Sequence, residues 1–227
     1  MLVLNLEVEP YERVWHLQHR LVEARQQGRI DDILVLLEHE AVITVGRAGD
    51  MGHILAPSDE LQTAGIAIYR IERGGDVTYH GPGQLVGYPI LSLERYHFGV
   101  ADYMHALEEV LIRTLADFGV MAHRREGIIG VWTQQGKIAA LGARIERGVT
   151  YHGFALNVAP NLEHFKLIVP CGLKDAQATS MNHELNQPVS LQAVRQCVIW
   201  HIGDVFSVPM QETTIAQLPI EDDPARP

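Results

Sequence analysis

The sequence predicts one α/β domain, a mixed and mainly antiparallel sheet with helices packed on it. Three observations carry this. Short apolar runs of strand length recur along the chain, and three longer segments repeat apolar residues at helical spacing. Neither an internal repeat nor an interdomain linker interrupts the 227 residues, a length that can bury one full core.

Leu2 to Glu7 reads as a strand. Tyr11 to Gly28 reads as an amphipathic helix, with Pro10 near its start and Val14, Leu17, Leu21 and Ala24 on one face. Ile33 to Leu37 and Val42 to Val45 are short buried strands, and Ile66 to Ile71 alternates. Leu85 to Leu93 is a further strand, in which Pro89 predicts an edge or a bulge because it has no N–H to give a ladder. Ala101 to Phe118 places Met104, Leu107, Leu111, Leu115 and Phe118 at helical spacing. Ile128 to Thr133, Ile138 to Ile145 and Thr150 to Val158 form a meander, turned at Gln134-Gln135-Gly136 and Glu146-Arg147-Gly148. Ser190 caps a helix through Phe206 that buries Leu191, Val194, Val198, Ile202 and Val205. Residues 207–227, rich in Pro and acid, read as a peripheral tail of this single domain, 1–227.

The formal net charge of −10 argues against nucleic acid or an anionic membrane as the main partner, while allowing a local basic patch. The first nine residues carry acid early and lack the basic start of a signal peptide. No apolar run approaches the ~18 residues that span a bilayer. Cys171 and Cys197 make no disulfide framework, so a reducing cytoplasm is the expected compartment.

The tract Arg73-Gly74-Gly75-Asp76-Val77-Thr78-Tyr79-His80-Gly81-Pro82-Gly83-Gln84 stands out. Its Gly and Pro residues let the backbone press against a ligand while Arg73, Thr78, Tyr79, His80 and Gln84 offer polar contacts; a bulged hairpin turn is the plainer reading. Cys171, bracketed by Pro170 and Gly172, sits on a turn. A nucleophilic thiol with a depressed pKa and a buried structural cysteine both fit that context. Cys197, inside the apolar pattern of a helix, reads as a buried structural thiol. Lys137 opens an apolar strand, either as a solvated strand end or as a desolvated ammonium that tunes a thiol. The small residues Ala139, Ala140 and Gly142 leave room for a narrow apolar ligand. His80 and His152 each fall in a Tyr-His-Gly triplet. His16 and His19 could share a helix face, but two ligands without an acidic partner predict no metal. No GxxxxGK[ST], GxGxxG or GxSxG motif is present, so nothing argues for ATP, a dinucleotide or a serine nucleophile elbow.

Four segments together resemble the octanoyltransferase family, also called lipoyl(octanoyl) transferase or lipoate-protein ligase B. They are Arg73 through Gln84 and on to Tyr88-Pro89; Gly136-Lys137-Ile138-Ala139-Ala140-Leu141-Gly142; His152-Gly153-Phe154-Ala155-Leu156-Asn157-Val158; and Pro170-Cys171-Gly172. They follow the family's order and spacing over residues 70–175. The resemblance implies a biotin/lipoate protein ligase-like α/β fold and transfer of an octanoyl group from acyl carrier protein to one lysine of a lipoyl domain. Acceptors of that kind belong to 2-oxoacid dehydrogenases and the glycine cleavage H protein. It implies Cys171 as the nucleophile that carries the acyl thioester and Lys137 as the residue that lowers its pKa and moves protons. It maps the substrate site to Arg73, Gly74, Gly75, Asp76, Val77, Thr78, Tyr79, His80, Ala140, Leu141, Gly142, Gly153, Phe154 and Ala155. It calls for no cofactor and no metal. Because acyl carrier proteins are acidic in this family's reaction, docking calls for basic residues, and Arg144, Arg147, Lys166 and Lys174 are the candidates. The competing readings are an ATP-dependent lipoate or biotin ligase on the same fold, a non-catalytic acyl-binding module, and a Cys-His hydrolase with His80 or His152 as base.

Overall fold

The computed structural model describes residues 1–169 and 177–220. The elements run in chain order as β1 (Leu2–Glu9), α1 (Tyr11–Gln26), β2 (Ile33–His39), β3 (Val42–Val45), α2 (Ser58–Thr63), β4 (Ala67–Arg70), β5 (Val77–His80) and β6 (Gln84–Ile90). There follow α3 (Val100–Asp117), β7 (His123–Arg125), β8 (Ile128–Trp132), β9 (Lys137–Glu146), β10 (Val149–Asn157), α4 (Met181–Leu185), α5 (Leu191–Val205) and β11 (Gln211–Thr213).

Eight strands form one sheet in the order β11-β1-β2-β6-β10-β9-β8-β7. Its two pairings at β1 are parallel and the rest antiparallel, as the sequence pattern predicts. Strands β6 and β10 are buried along their whole length because helices cover both faces, so their polar residues Gln84, Thr150, His152 and Asn157 are buried too. On one face α1 sets Val14, Leu17, Leu21 and Ala24 against Val35, Leu37, Val86 and Ala155. On the other, α3 and α5 pack Leu107, Leu111, Val194, Val198 and Ile202 over Leu34, Leu36, Leu85 and Leu156. A three-stranded sheet, β4-β3-β5, stands beside this sandwich with its own core of Ile43, Val45, Leu61, Val77 and Tyr79. The glycine tract runs from one sheet to the other: β5 lies in the small sheet and β6 in the large one. Gly83, at φ +86°, makes that crossing, and its carbonyl accepts the N–H groups of Val158 and Ala159.

Two expectations are corrected. Of the edge or bulge expected at Pro89, the edge is ruled out, since Pro89 lies on a central strand. Its ladder to β10 stops at Gly87–Phe154, and Thr150 N–H next reaches the Leu91 carbonyl. The missing N–H therefore faces a break in the sheet, where the Thr150 hydroxyl donates to the Pro89 carbonyl at 2.7 Å. The described chain after Ser207, residues 208–220, is also tied in: β11 pairs with β1, the Met1 ammonium donates to the Pro209 carbonyl at 2.7 Å, and Leu218 is buried. No helix among the described residues is long and apolar enough to cross a membrane.

Candidate active site

The break opposite Pro89 shapes the site. His152 adopts a left-handed backbone, φ +54°, and gives its N–H to Gln18 Oε1 on α1 at 2.8 Å instead of to the ladder. Beside it, a side chain on Gly153 would collide with the Gly87 carbonyl, so only glycine allows this approach. A narrow, partly open cavity of about 40 Å³ opens there.

Sheet register builds its apolar wall. Ala140 is opposite Ala155, Leu141 opposite Phe154, and Gly142 opposite Gly153. Arg73, Gly75, Asp76, Val77, Thr78 and His80 supply the facing wall. Gly74 does not line the cavity; its N–H fastens the loop to the Ala143 carbonyl at 3.0 Å. Tyr79 faces away, into the small-sheet core, where its hydroxyl meets His164 Nδ1 at 2.7 Å. The Arg73 guanidinium bonds the Thr44 carbonyl at 2.7 Å, the Thr44 hydroxyl at 2.9 Å and the Gly74 carbonyl at 3.0 Å, so it holds the loop as well as lining the cavity.

Sequence reasoning did not single out Tyr11, His39 or Glu72, and it named Tyr88 only as the end of a resembling segment, not as a site residue. Tyr11 and Tyr88 line the cavity, and the buried Tyr11 hydroxyl has no hydrogen-bond partner among the described residues. His39 joins its Nε2 to the Tyr88 hydroxyl at 2.7 Å and its Nδ1 to the Glu9 carbonyl at 3.0 Å. Burial depresses the His39 pKa to about 4. It depresses His80 to about 3, with the neighbouring His39 adding to the effect. Burial also lowers His152, against the pull of Glu72. These imidazoles are neutral near pH 7. Glu72 is partly buried, which raises its pKa, but the nearby His152 imidazole and hydrogen bonds from His19 and Trp15 outweigh that and hold it well below the usual carboxylate range. The His152 contact itself is long, 3.7 Å, beside 2.9 Å for His19 and 3.1 Å for Trp15.

The His80 tautomer follows from its neighbours. Gln84 Nε2 donates to Asn157 Oδ1 at 2.9 Å, so Gln84 Oε1 turns to His80 Nδ1 at 2.7 Å and accepts its proton. Nε2 then carries a lone pair. Asn157 Nδ2 donates to the Thr179 carbonyl, and Thr179 N–H donates to the Lys137 carbonyl at 3.0 Å. One chain of bonds thus runs from the cavity wall to Lys137.

Lys137 is buried at the head of β9. Its Nζ lies 5.4 Å from the centre of the Trp132 ring, and its N–H donates to the Gln177 carbonyl at 2.8 Å. Cys171 and Lys174 lie outside the described residues. The chain before them ends on Val169, whose N–H donates to the His53 carbonyl at 2.7 Å; His53 Nδ1 is 2.5 Å from Asp76 on the cavity wall. Of the proposed docking residues, Lys166 pairs with Glu163 at 2.6 Å, Arg144 is half-buried, and Arg147 sits exposed on the β9–β10 turn. Cys197 is not the buried core thiol that its helix pattern suggests: it is half-exposed and donates to Asp117 Oδ2 at 3.2 Å.

The fold is similar to that of lipoate and biotin protein ligases, here with a narrow cavity at a break in the main sheet. Residues 10–203 match the lipoyl protein ligase A/B catalytic domain. An octanoyltransferase from Koribacter versatilis is 47% identical over 232 residues, covering 99% of this chain and 92% of that protein. One from Alkaliphilus metalliredigens is 45% identical over 212 residues, covering 93% and 97%. Among solved structures, lipoate-protein ligase A bound with ATP is similar with a TM-score of 0.78 at 18% identity, covering 95% of this chain and 89% of that one; that likeness concerns the fold alone. The chain belongs to the lipoyl protein ligase A/B catalytic domain family, and within it to the octanoyltransferases.

Proposed function

We propose that this enzyme takes an octanoyl group from the thioester of an acyl carrier protein and delivers it to a lysine of a lipoyl domain, by way of a thioester on Cys171. The Cys171 thiolate attacks the thioester carbonyl, and the carrier's thiolate leaves and takes up a proton. The acceptor's neutral amine then attacks the new thioester, Cys171 is expelled, and an amide forms with loss of the amine proton. The first step exchanges like for like and the second is downhill, so no nucleotide is consumed. The Lys137 ammonium stabilises the thiolate, and its neutral form takes the amine proton. The reaction needs a reduced thiol, and a reducing cytoplasm is the setting that supplies one.

One observation carries this reading. Val169, the last described residue before Cys171, is bound through His53 to Asp76 on the cavity wall, and Gln177, the first described residue after it, accepts the backbone N–H of Lys137. The walls fit the cargo. Most of them are apolar or neutral, and the two charged groups among them are engaged, Arg73 by Thr44 and Asp76 by His53, so an uncharged chain faces no unsatisfied charge there.

The test is the intact mass of the protein after incubation with octanoyl-acyl carrier protein, beside a Cys171→Ala control. One added octanoyl group, removed by hydroxylamine and missing from the control, is the expected result. An unmodified wild-type protein that becomes active with free octanoate and ATP would replace the transferase with a ligase.

A further inference from the structure

On the face of the large sheet covered by α3 and α5, three side chains with metal-binding atoms meet, and octanoyl transfer uses none of them. Asp117 closes α3, while Cys197 and His201 stand four residues apart on α5 and therefore share a face. Cys197 Sγ is 3.2 Å from Asp117 Oδ2, and His201 Nε2 is 2.8 Å from the same oxygen. All three ligand atoms lie within 4.8 Å of one another. Tetrahedral zinc, with bonds of ~2.3 Å to sulfur and ~2.0–2.2 Å to nitrogen and oxygen, sets ligand atoms about 3.2–3.6 Å apart. Side-chain shifts of about 1 Å bring the trio to that spacing.

We propose that Asp117, Cys197 and His201 form a binding site for a single zinc-type divalent ion that pins α3 to α5. The donor set of one thiolate, one imidazole and one carboxylate suits zinc better than magnesium or calcium, which favour oxygen alone. Burial is graded from buried His201 through half-exposed Cys197 to exposed Asp117, which leaves one side for entry and for a water ligand. A second observation lies behind the sulfur. The Thr114 hydroxyl, one helical turn before Asp117, lies near the Cys197 thiol and acts to lower its pKa. This hydroxyl is fully buried and has no hydrogen-bond partner among the described residues. Such an outer donor is what a metal-bound thiolate requires.

Without an ion, burial and the adjacent Asp117 carboxylate push the Cys197 thiol up to about 11, and its proton bridges to that carboxylate. Binding forms the sulfur–metal bond and releases that proton to solvent, with no change of oxidation state. Aspartate, thiol and imidazole carry −1; aspartate, thiolate, imidazole and a divalent ion sum to zero. The sequence alone hides this site, because Asp117 is 80 residues from Cys197.

The experiment is a Co²⁺ titration of the full chain after treatment with a chelator. The expected result is a thiolate-to-cobalt charge-transfer band that saturates at one equivalent and disappears when Zn²⁺ is added. Cys197→Ser removes the band, Cys171→Ser keeps it, and Asp117→Asn weakens Co²⁺ binding at least tenfold. Asp117 is exposed and asparagine nearly isosteric, so that variant keeps its fold, which circular dichroism checks. A protein that shows no band, or a band that survives Cys197→Ser and vanishes in Cys171→Ser, overturns the proposal.

Discussion

The side chain of Lys137 fills the space that a methyl group on Gly130 would take: that methyl would stand 2.6 Å from Lys137 Cε and 3.2 Å from Nζ. Gly130 sits at φ +143°, a conformation side-chain-bearing residues avoid, and its N–H is held by the buried carboxylate of Glu108 at 3.0 Å. The absent side chain on β8 therefore sets the path of the lysine on β9. Gly130→Ala is expected to slow acyl-enzyme formation about tenfold or more, although it touches no substrate. Overpacking of this kind costs about 1–3 kcal/mol of stability. The pH profile of Cys171 alkylation should move upward in Gly130→Ala and in Lys137→Met alike. If both profiles coincide with that of the wild type, Lys137 does not tune the thiol.

Gln84 fixes the proton of His80 and passes the constraint to Asn157. Gln84→Leu leaves both partners buried and unsatisfied. Each lost bond of this kind costs about 1–3 kcal/mol, which lowers Tm by roughly 2–4 °C per kcal/mol for a chain of this size. Gln84→Glu keeps an acceptor for His80 but gives Asn157 Oδ1 nothing to accept from, so it should recover only part of the loss. A Gln84→Leu protein that melts with the wild type would show that His80 is held some other way.

Much of this was legible in the sequence, for physical reasons that differ by residue. The meander and the long helices were plain because period and turn chemistry agree at Gln134-Gln135-Gly136 and along Met104, Leu107 and Leu111. The cavity wall was legible in part, from the small residues Ala140 and Gly142 and from the resemblance; that Ala140, Leu141 and Gly142 oppose Ala155, Phe154 and Gly153 depends on strand register. Strand β7 escaped notice because His123, Arg124 and Arg125 are all exposed and carry no apolar period. Pro89 misled because the sequence cannot say that a neighbouring strand breaks where the N–H is missing. Tyr11 and His39 looked like ordinary members of a helix and a strand. Their part in the cavity comes from packing between elements distant in sequence.

Ala140 offers a way to shorten the cavity without disturbing a hydrogen bond or a glycine contact. It lines the slot and is half-buried. Ala140→Leu adds three carbons to the wall opposite Ala155. Burying each methylene of a substrate chain is worth about 0.8 kcal/mol. Displacing two or three of them should therefore raise KM for the octanoyl donor about tenfold to fiftyfold, while a butanoyl donor is little affected. Parallel titrations with the two carrier-bound chains measure the ratio. An unchanged ratio would place the acyl chain elsewhere.

His39 gives a prediction about acid stability whose sign is fixed by its burial. Its folded pKa is about 4, against an ordinary value of 6.5. It is enclosed by the Glu9 carbonyl, the Tyr88 hydroxyl and the rings of Tyr11 and His80, none of which is an anion. Below pH 6.5 the unfolded chain takes up a proton that the folded chain refuses. The stability from neutral His39 is therefore present above 6.5 and lost as pH falls toward 4. Between pH 7 and pH 5 the linkage amounts to about 2 kcal/mol. Urea unfolding at the two pH values should show the wild type losing about that much more than His39→Gln, whose amide cannot titrate. Carboxylates contribute equally to both proteins and cancel in the difference. Equal losses would mean that the folded protein accepts the proton, and that the pair formed by His39 and Tyr88 opens to water well above pH 4.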